Sequence, residues 1–255
     1  MEHIKKLITT VGLFLLMVGM LQGQTTFLNR PSKTESATVL EKGVFQLESA
    51  YELELTGESD EREKEILFPG ILLRYGVGWG VELRFANQYE TLMDEFGTVD
   101  GFSDLKIGTE VQLFKNKNKK TEVALMSYLF LPTGSNGISN ERTGNETLAL
   151  VWHGLTEKIG IEYNIGYSNF EIDSEKGDFV YSFVTDYEIN DKSGFFIETY
   201  GEFIEFEEFE ASVDLGLAYQ FTDNLEFEMA AGTGINHKMF FTLVGLSWRI
   251  GKQED

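Results

Sequence analysis

Acyl or phosphoryl chemistry in a protein asks for a nucleophile, a base to activate it and a third group to orient the base. This chain of 255 residues holds no cysteine and three histidines. Disulfides, thiolate metal sites and cysteine nucleophiles are therefore excluded together. His3 lies at the extreme N-terminus, which leaves His153 and His237. His153 ends an alternating run beside a short connection, and His237 sits within a longer one, so the two are expected at opposite ends of the molecule. No serine beside either stands in a recognisable nucleophile context. Neither histidine is spaced for a metal site, and no glycine-rich phosphate loop precedes a helical pattern. The expectation is a protein that is not an enzyme, with no catalytic residues, no metal and no cofactor.

The remaining chemistry is electrostatic. Charged side chains recur in the middle of apolar runs, at every second position. They are Glu48, Glu52, Arg74, Glu82, Arg84, Lys106, Glu110, Glu162, Asp186, Glu198, Glu202, Asp214, Glu226, Glu228 and Arg249. If these faces enclose a lumen, carboxylates outnumber cations in it, and an open path favours cations or dipolar solutes over anions. Arg74, Arg84, Lys106 and Arg249 are expected to pair across strands, because buried charges need partners. Two readings stay open for each residue: it lines a path, or it braces a filled interior. Small residues on the same faces (Gly108, Gly160, Gly166, Gly216, Ala218 and Gly232) leave room and argue against a solid plug.

The elements that must position these groups alternate with period two. From Phe45 the apolar side reads Phe45, Leu47, Tyr51, Leu53 and Leu55, against Gln46, Glu48, Ala50, Glu52 and Glu54. Leu105, Ile107, Val111 and Leu113 stand opposite Lys106, Gly108, Glu110 and Gln112. Val213, Leu215, Leu217, Tyr219 and Phe221 stand opposite Asp214, Gly216, Ala218 and Gln220. Successive strand side chains point to opposite faces, so each run has one apolar and one polar face. About twelve such strands follow, near 43–55, 65–76, 79–89, 102–114, 121–131, 146–154, 158–168, 178–189, 194–203, 209–221, 224–233 and 239–250. Most match the roughly 9–11 residues of a tilted membrane-crossing strand.

The connections sort into two sets. Those at 76–78, 115–120, 155–157, 190–192 and 222–223 are mostly tight. Those at 56–64, 90–101, 132–145, 169–177 and 204–208 are longer and more acidic, with 234–238 a shorter member. Alternating short and long connections, an even strand count and both termini on the short side make the outer-membrane arrangement. A soluble sandwich also alternates, but it buries its apolar face under a second sheet. Here the apolar face carries Tyr75, Trp79, Tyr187, Phe221 and Trp248 near strand ends, as interfacial girdles do. The predicted fold is an all-β, antiparallel, up-and-down transmembrane barrel over 43–250, with a short tail at 251–255.

Before the barrel, Lys5 and Lys6 precede an apolar run from Leu7 to Leu21 and then Gln22-Gly23-Gln24. The run is short for a spanning helix and reads as a cleaved signal peptide over 1–23. Removing it takes away one carboxylate and two lysines, so the net charge moves from −21 to −22. A chain this acidic repels polyphosphate, which argues against nucleic acid. Residues 24–42 make a periplasmic N-terminal segment. It is too short for a folded plug domain, and either enters the barrel from the periplasmic side or hangs as a loose tail. Acidic connections such as Glu58 to Glu63 read chiefly as solvated surface. The implied partners are outer-membrane lipid and lipopolysaccharide, the barrel-assembly machinery and a small-molecule solute.

Short phrases add a resemblance. Arg30-Pro31-Ser32-Lys33-Thr34-Glu35-Ser36, followed by Val39, Gly43, Gln46 and Glu48, resembles the opening of the outer-membrane transporter family labelled MetA-pathway of phenol degradation. Leu73-Arg74-Tyr75-Gly76 with Val81-Glu82-Leu83-Arg84 is similar to its second hairpin. Phe102-Ser103-Asp104-Leu105 and Leu131-Pro132-Thr133-Gly134 are similar to later phrases. The resemblance covers essentially the whole mature chain, through motifs that are structural. It implies an outer-membrane channel or transporter for small molecules, including hydrophobic or aromatic compounds, and carries no residue roles. The competing class is a non-conducting structural or surface-interaction barrel of the cell envelope.

Overall fold

The computed structural model describes residues 33–57, 62–116, 120–169 and 176–251. The expected signal peptide at 1–23 lies outside the described residues, as do residues 24–32 and 252–255.

The alternating runs are strands. In chain order these are β1 (Phe45–Thr56), β2 (Glu63–Gly78), β3 (Val81–Met93), β4 (Thr98–Phe102), β5 (Leu105–Asn116), β6 (Thr121–Leu131) and β7 (Gly144–Gly154). They continue with β8 (Ile159–Asn169), β9 (Asp178–Asn190), β10 (Ser193–Ile204), β11 (Glu208–Thr222), β12 (Leu225–Gly234) and β13 (Met239–Ile250). No described residue is helical. Every pairing is antiparallel, and β13 returns to β1 from Phe45↔Ile250 to Thr56↔Met239, so the sheet closes on itself. Closure leaves no edge of unpaired N–H and C=O groups, which hydrocarbon could not satisfy.

Among the described residues thirteen strands fill twelve positions around the barrel, because β4 and β5 share one neighbour. β4 pairs the far half of β3, from Tyr89↔Phe102 to Met93↔Thr98. β5 pairs the near half, from Val81↔Val111 to Ala86↔Lys106. At the break between them Asp104 accepts N–H groups from Gly134 (2.9 Å) and Asn140 (3.0 Å) and the Ser139 hydroxyl (2.7 Å). The loop expected over 90–101 is thus mostly a hairpin that continues the wall. The connection expected to be long at 204–208 is a three-residue turn, with Glu205 and Phe206 at φ of 51° and 62°. Acidic and aromatic residues concealed both, since strands that project past the membrane lose the apolar side of their alternation.

The apolar face points outward all round. Leu215, Leu217, Leu246 and Leu125 are exposed at mid-strand, and Tyr75, Phe221 and Trp248 are exposed at the short-turn end. Trp79, in the turn between β2 and β3, is 94 % exposed. At the opposite end Phe179, Phe203 and Phe209 cluster on β9, β10 and β11, with Phe203 and Phe209 centroids 4.7 Å apart, and Phe68, Phe102 and Phe240 are exposed on other strands. Two aromatic girdles around an apolar band match the depth profile of a bilayer. Inside, the wall is not uniformly polar. Ala124, Met126, Tyr128, Phe130, Leu148 and Leu150 of β6 and β7 are buried together and enclose Ala37.

Candidate functional site

Residues 33–42 of the N-terminal segment run inside the barrel. Gly43, at φ 84°, lets the chain turn from the segment into β1. Its N–H bonds to Gly76 O at 2.8 Å, and the Gly76 N–H bonds to Val44 O at 2.9 Å. A Cβ on Gly76 would strike the Leu40 and Glu41 carbonyls, so only glycine lets the backbones approach this closely. From that anchor residues 42 back to 33 cross the lumen, and wall carboxylates take up their backbone donors. Leu40 N–H donates to Glu82 at 2.8 Å and Ala37 N–H to Glu162 at 2.7 Å. Lys33 N–H donates to Glu198 at 3.1 Å, and the Thr34 hydroxyl donates to the same carboxylate. Arg74 returns a bond to Thr38 O at 3.1 Å. Apart from the Thr38 N–H, which donates to the Ser36 hydroxyl at 3.2 Å, wall carboxylates replace the strand that would otherwise satisfy this segment.

Beneath the segment is a compact charge network. Arg74 donates to both oxygens of Glu82 (2.5 and 2.9 Å) and reaches Glu48 at 3.4 Å. Arg84 donates to Glu82 at 2.8 Å, to Glu35 of the segment at 2.7 Å and to the Tyr128 hydroxyl at 3.2 Å. Its other nitrogen stands 3.0 Å from Glu110. Arg74, Glu82, Arg84 and Glu110 are fully enclosed. Two guanidinium groups stand among four carboxylates, Glu35, Glu48, Glu82 and Glu110, so the buried charge is paired. Glu110 is held by charge alone, without a hydrogen bond from a described residue.

Toward the long-loop end the lumen widens into a cavity of 390 Å³, floored by Lys33 and Glu35. Glu54, Glu146, Glu202 and Glu210 stand around its wall with Leu148, Val180, Met239 and Tyr200. Lys33 is committed to Glu52 at 3.0 Å, and Glu35 to Arg84. Carboxylate therefore dominates the cavity.

All the residues expected on the polar faces point inward. Glu48, Arg74, Glu82, Arg84 and Glu110 form the network, and Glu52, Glu162 and Glu198 hold the segment. Asp214 lies across from Glu198 in register. Lys106 lies over the Phe130 ring at 5.0 Å, and Arg249 donates to Gln46 at 3.2 Å. Glu202 lines the cavity, and Glu226 and Glu228 are buried on the inner face of β12. Asp186 sits against Gly160. The inward glycines do not leave room. A Cβ at Gly108 would meet the Tyr128 ring at 2.5 Å, and one at Gly166, Gly216 or Gly232 would meet Leu148, Phe196 or Phe241. Large side chains on neighbouring strands lie across the glycines and fill the space. Sequence reasoning placed Glu54 on the polar face of its strand without naming it as a candidate lumen residue, and missed Glu146, although both follow the alternation. It also left open the role of Lys33 to Lys42, which no periodicity marks.

His153 and His237 do lie at opposite ends. His153 faces outward, bonded to Thr121 at 3.0 Å and to Tyr163 at 3.4 Å. His237 stands 3.5 Å from the Ser212 hydroxyl and 3.8 Å from Glu210, a meeting the sequence did not announce.

A closed barrel of twelve strand positions, apolar outside, girdled by aromatics and charged within, is an outer-membrane β-barrel. The chain belongs to the family described as "Putative MetA-pathway of phenol degradation", whose model matches residues 28–250. Among solved structures it is similar to an outer-membrane channel from Pseudomonas putida F1, with a TM-score of 0.72 at 13 % identity, covering 88 % of this chain and 100 % of that one. It is also similar to the KdgM porin in complex with disordered oligogalacturonate, with a TM-score of 0.55 at 11 % identity, covering 81 % of this chain and 99 % of that one. At these identities the likeness is one of fold. A comparison with curated proteins finds no match.

Proposed function

We propose that the protein is an outer-membrane channel or transporter that admits small molecules through a narrow acidic lumen, with residues 33–42 forming the constriction. The observation that carries this reading is how the lumen is occupied. A filled structural barrel would close its interior with wall side chains alone. Here a terminal segment lies across the lumen on hydrogen bonds and ion pairs that water could replace, and a cavity of 390 Å³ stands beyond it. The similar structures, an outer-membrane channel and a porin, support the channel class over the non-conducting one. The family description and the Leu148, Val180 and Met239 surface of the cavity suit solutes with an apolar or aromatic part.

A hydrolytic reading gains little from Ser212 and His237. Glu210 is beyond hydrogen-bond reach of the imidazole. Ser212 lies within strand ladders opposite Tyr200 and Gly234, and the neighbouring Ala211 N–H is taken by the Asn236 side chain at 2.9 Å, so that N–H is not available to an oxyanion. The test is single-channel recording of the refolded mature protein in a planar bilayer, with reversal potentials under a salt gradient. Discrete steps with cation preference are expected. A folded, heat-modifiable barrel that never conducts, with or without residues 24–42, overturns the reading.

A further inference from the structure

Carboxylates on the cavity wall differ in how they are satisfied. Glu35 is spent on Arg84 and Glu52 on Lys33. Glu54 and Glu146, on opposite sides of the barrel in β1 and β7, make no contact ion pair with a described residue, although Lys33 acts on Glu54 and Lys106 on Glu146 from farther away. Glu54 also stands directly across from Glu65 of β2, and like charges in register repel unless a cation lies between or above them.

A second observation is independent of charge. Asn164 of β8 and Ser182 of β9 are a registered pair on the inner face and line the same cavity. Asn164 is 2 % exposed and Ser182 is 6 % exposed, yet neither the Asn164 amide oxygen and nitrogen nor the Ser182 hydroxyl has a hydrogen-bond partner among the described residues. Buried polar groups are nearly always bonded, so an amide left over on a cavity wall marks a place where something else completes it. Leu148 and Val180 flank these two residues, and Met239 contributes a third apolar surface.

We propose that this cavity is a binding site for small organic cations: a primary ammonium group on an apolar body. The inference rests on the channel reading only in placing the site on the solute's path. Glu54 and Glu146 supply the countercharge, and a carboxylate accepts N⁺–H donors in its strongest hydrogen bonds. The Asn164 amide oxygen or the Ser182 hydroxyl accepts the third ammonium proton. The apolar body lies on Leu148, Val180 and Met239. An anion meets a wall in which carboxylates outnumber the single lysine, Lys33, and a neutral alcohol brings no charge to the two carboxylates that lack a contact ion pair. Metal ions fit less well, because no three His, Asp or Glu side chains among the described residues are grouped to hold one. The volume lies in the range of small-ligand sites.

Isothermal titration calorimetry on the refolded mature protein in detergent, at neutral pH, uses three probes of similar shape: phenethylamine, 2-phenylethanol and 3-phenylpropionate. The amine should bind roughly tenfold tighter than the alcohol, and the acid should give no saturable heat. Glu54→Gln with Glu146→Gln should erase most of that preference, and Asn164→Ala should weaken the amine further. Equal binding of amine and alcohol, tighter binding of the acid, no binding of the amine, or an unchanged amine affinity in the double variant overturns the site. The three-probe series on the unaltered protein decides the question even if a variant fails to fold. Bilayer recordings on the same preparation separate the two claims. Conductance without amine selectivity sinks this site and leaves the channel standing. Amine binding to a barrel that never conducts keeps the site and removes the channel.

Discussion

Removing the Glu35 carboxylate should loosen the constriction without disturbing the wall beneath it. Glu35 holds a charged wall residue through its 2.7 Å contact with Arg84, as Lys33 holds Glu52 at 3.0 Å. In Glu35→Ala, Arg84 keeps Glu82 at 2.8 Å and Glu110 at 3.0 Å, so no guanidinium is stranded. The loss falls on the segment. A hydrogen bond between charged groups contributes about 1.5–3 kcal/mol. The Glu35 side chain is 26 % exposed, and solvent screening lowers that to about 1–2 kcal/mol. The displaced state should therefore become about 5–30 times more populated relative to the seated one. The assay is the frequency of open events in planar bilayers at constant voltage, comparing wild type, Glu35→Ala and a chain lacking residues 24–42. The truncated chain should conduct continuously, and Glu35→Ala should open more often at unchanged step size. If the truncated chain conducts while Glu35→Ala matches wild type, the ion pair does not hold the segment. If the truncated chain stays closed, the segment is not the constriction.

Two further outcomes follow from packing. Gly76→Ala places a Cβ against the Leu40 and Glu41 carbonyls, and overpacking of this kind costs about 1–3 kcal/mol. Because the segment can yield more easily than the barrel wall, the variant should resemble Glu35→Ala in open frequency while its heat-modifiability on gels stays near wild type. Leu215, 63 % exposed at the middle of β11, faces lipid. Leu215→Arg should lower unfolding free energy by about 2–4 kcal/mol in urea titrations in lipid vesicles, and a near-neutral result would place this face away from the bilayer centre.

Much of this molecule was legible in its side-chain alternation. A strand in a membrane barrel meets lipid on one side and the lumen on the other, so each residue's type reports its face directly. That is why Glu82, Arg84, Glu110 and Glu198 could be assigned inward from sequence, and Tyr75 and Trp248 outward to a girdle. The tight turns expected at 190–192 and 222–223 lie at 191–192 and 223–224.

The rest depended on which strands meet across the barrel. Gly108 and Gly216 read as open space along the chain, yet Tyr128 and Phe196 from adjacent strands lie over them. The 204–208 connection and the hairpin at 89–102 were misjudged where strands leave the bilayer and the two-solvent pattern stops. Above all, Lys33 to Lys42 carries no period, because an extended segment held by wall carboxylates has no faces of its own to display. Its place in the lumen is set by Glu82, Glu162 and Glu198, which lie on three different strands and converge only when the barrel closes. The sequence by itself determined that these carboxylates turn inward. Only closure decided that three of them hold the chain's own N-terminal segment while Glu54 and Glu146 are left facing the cavity.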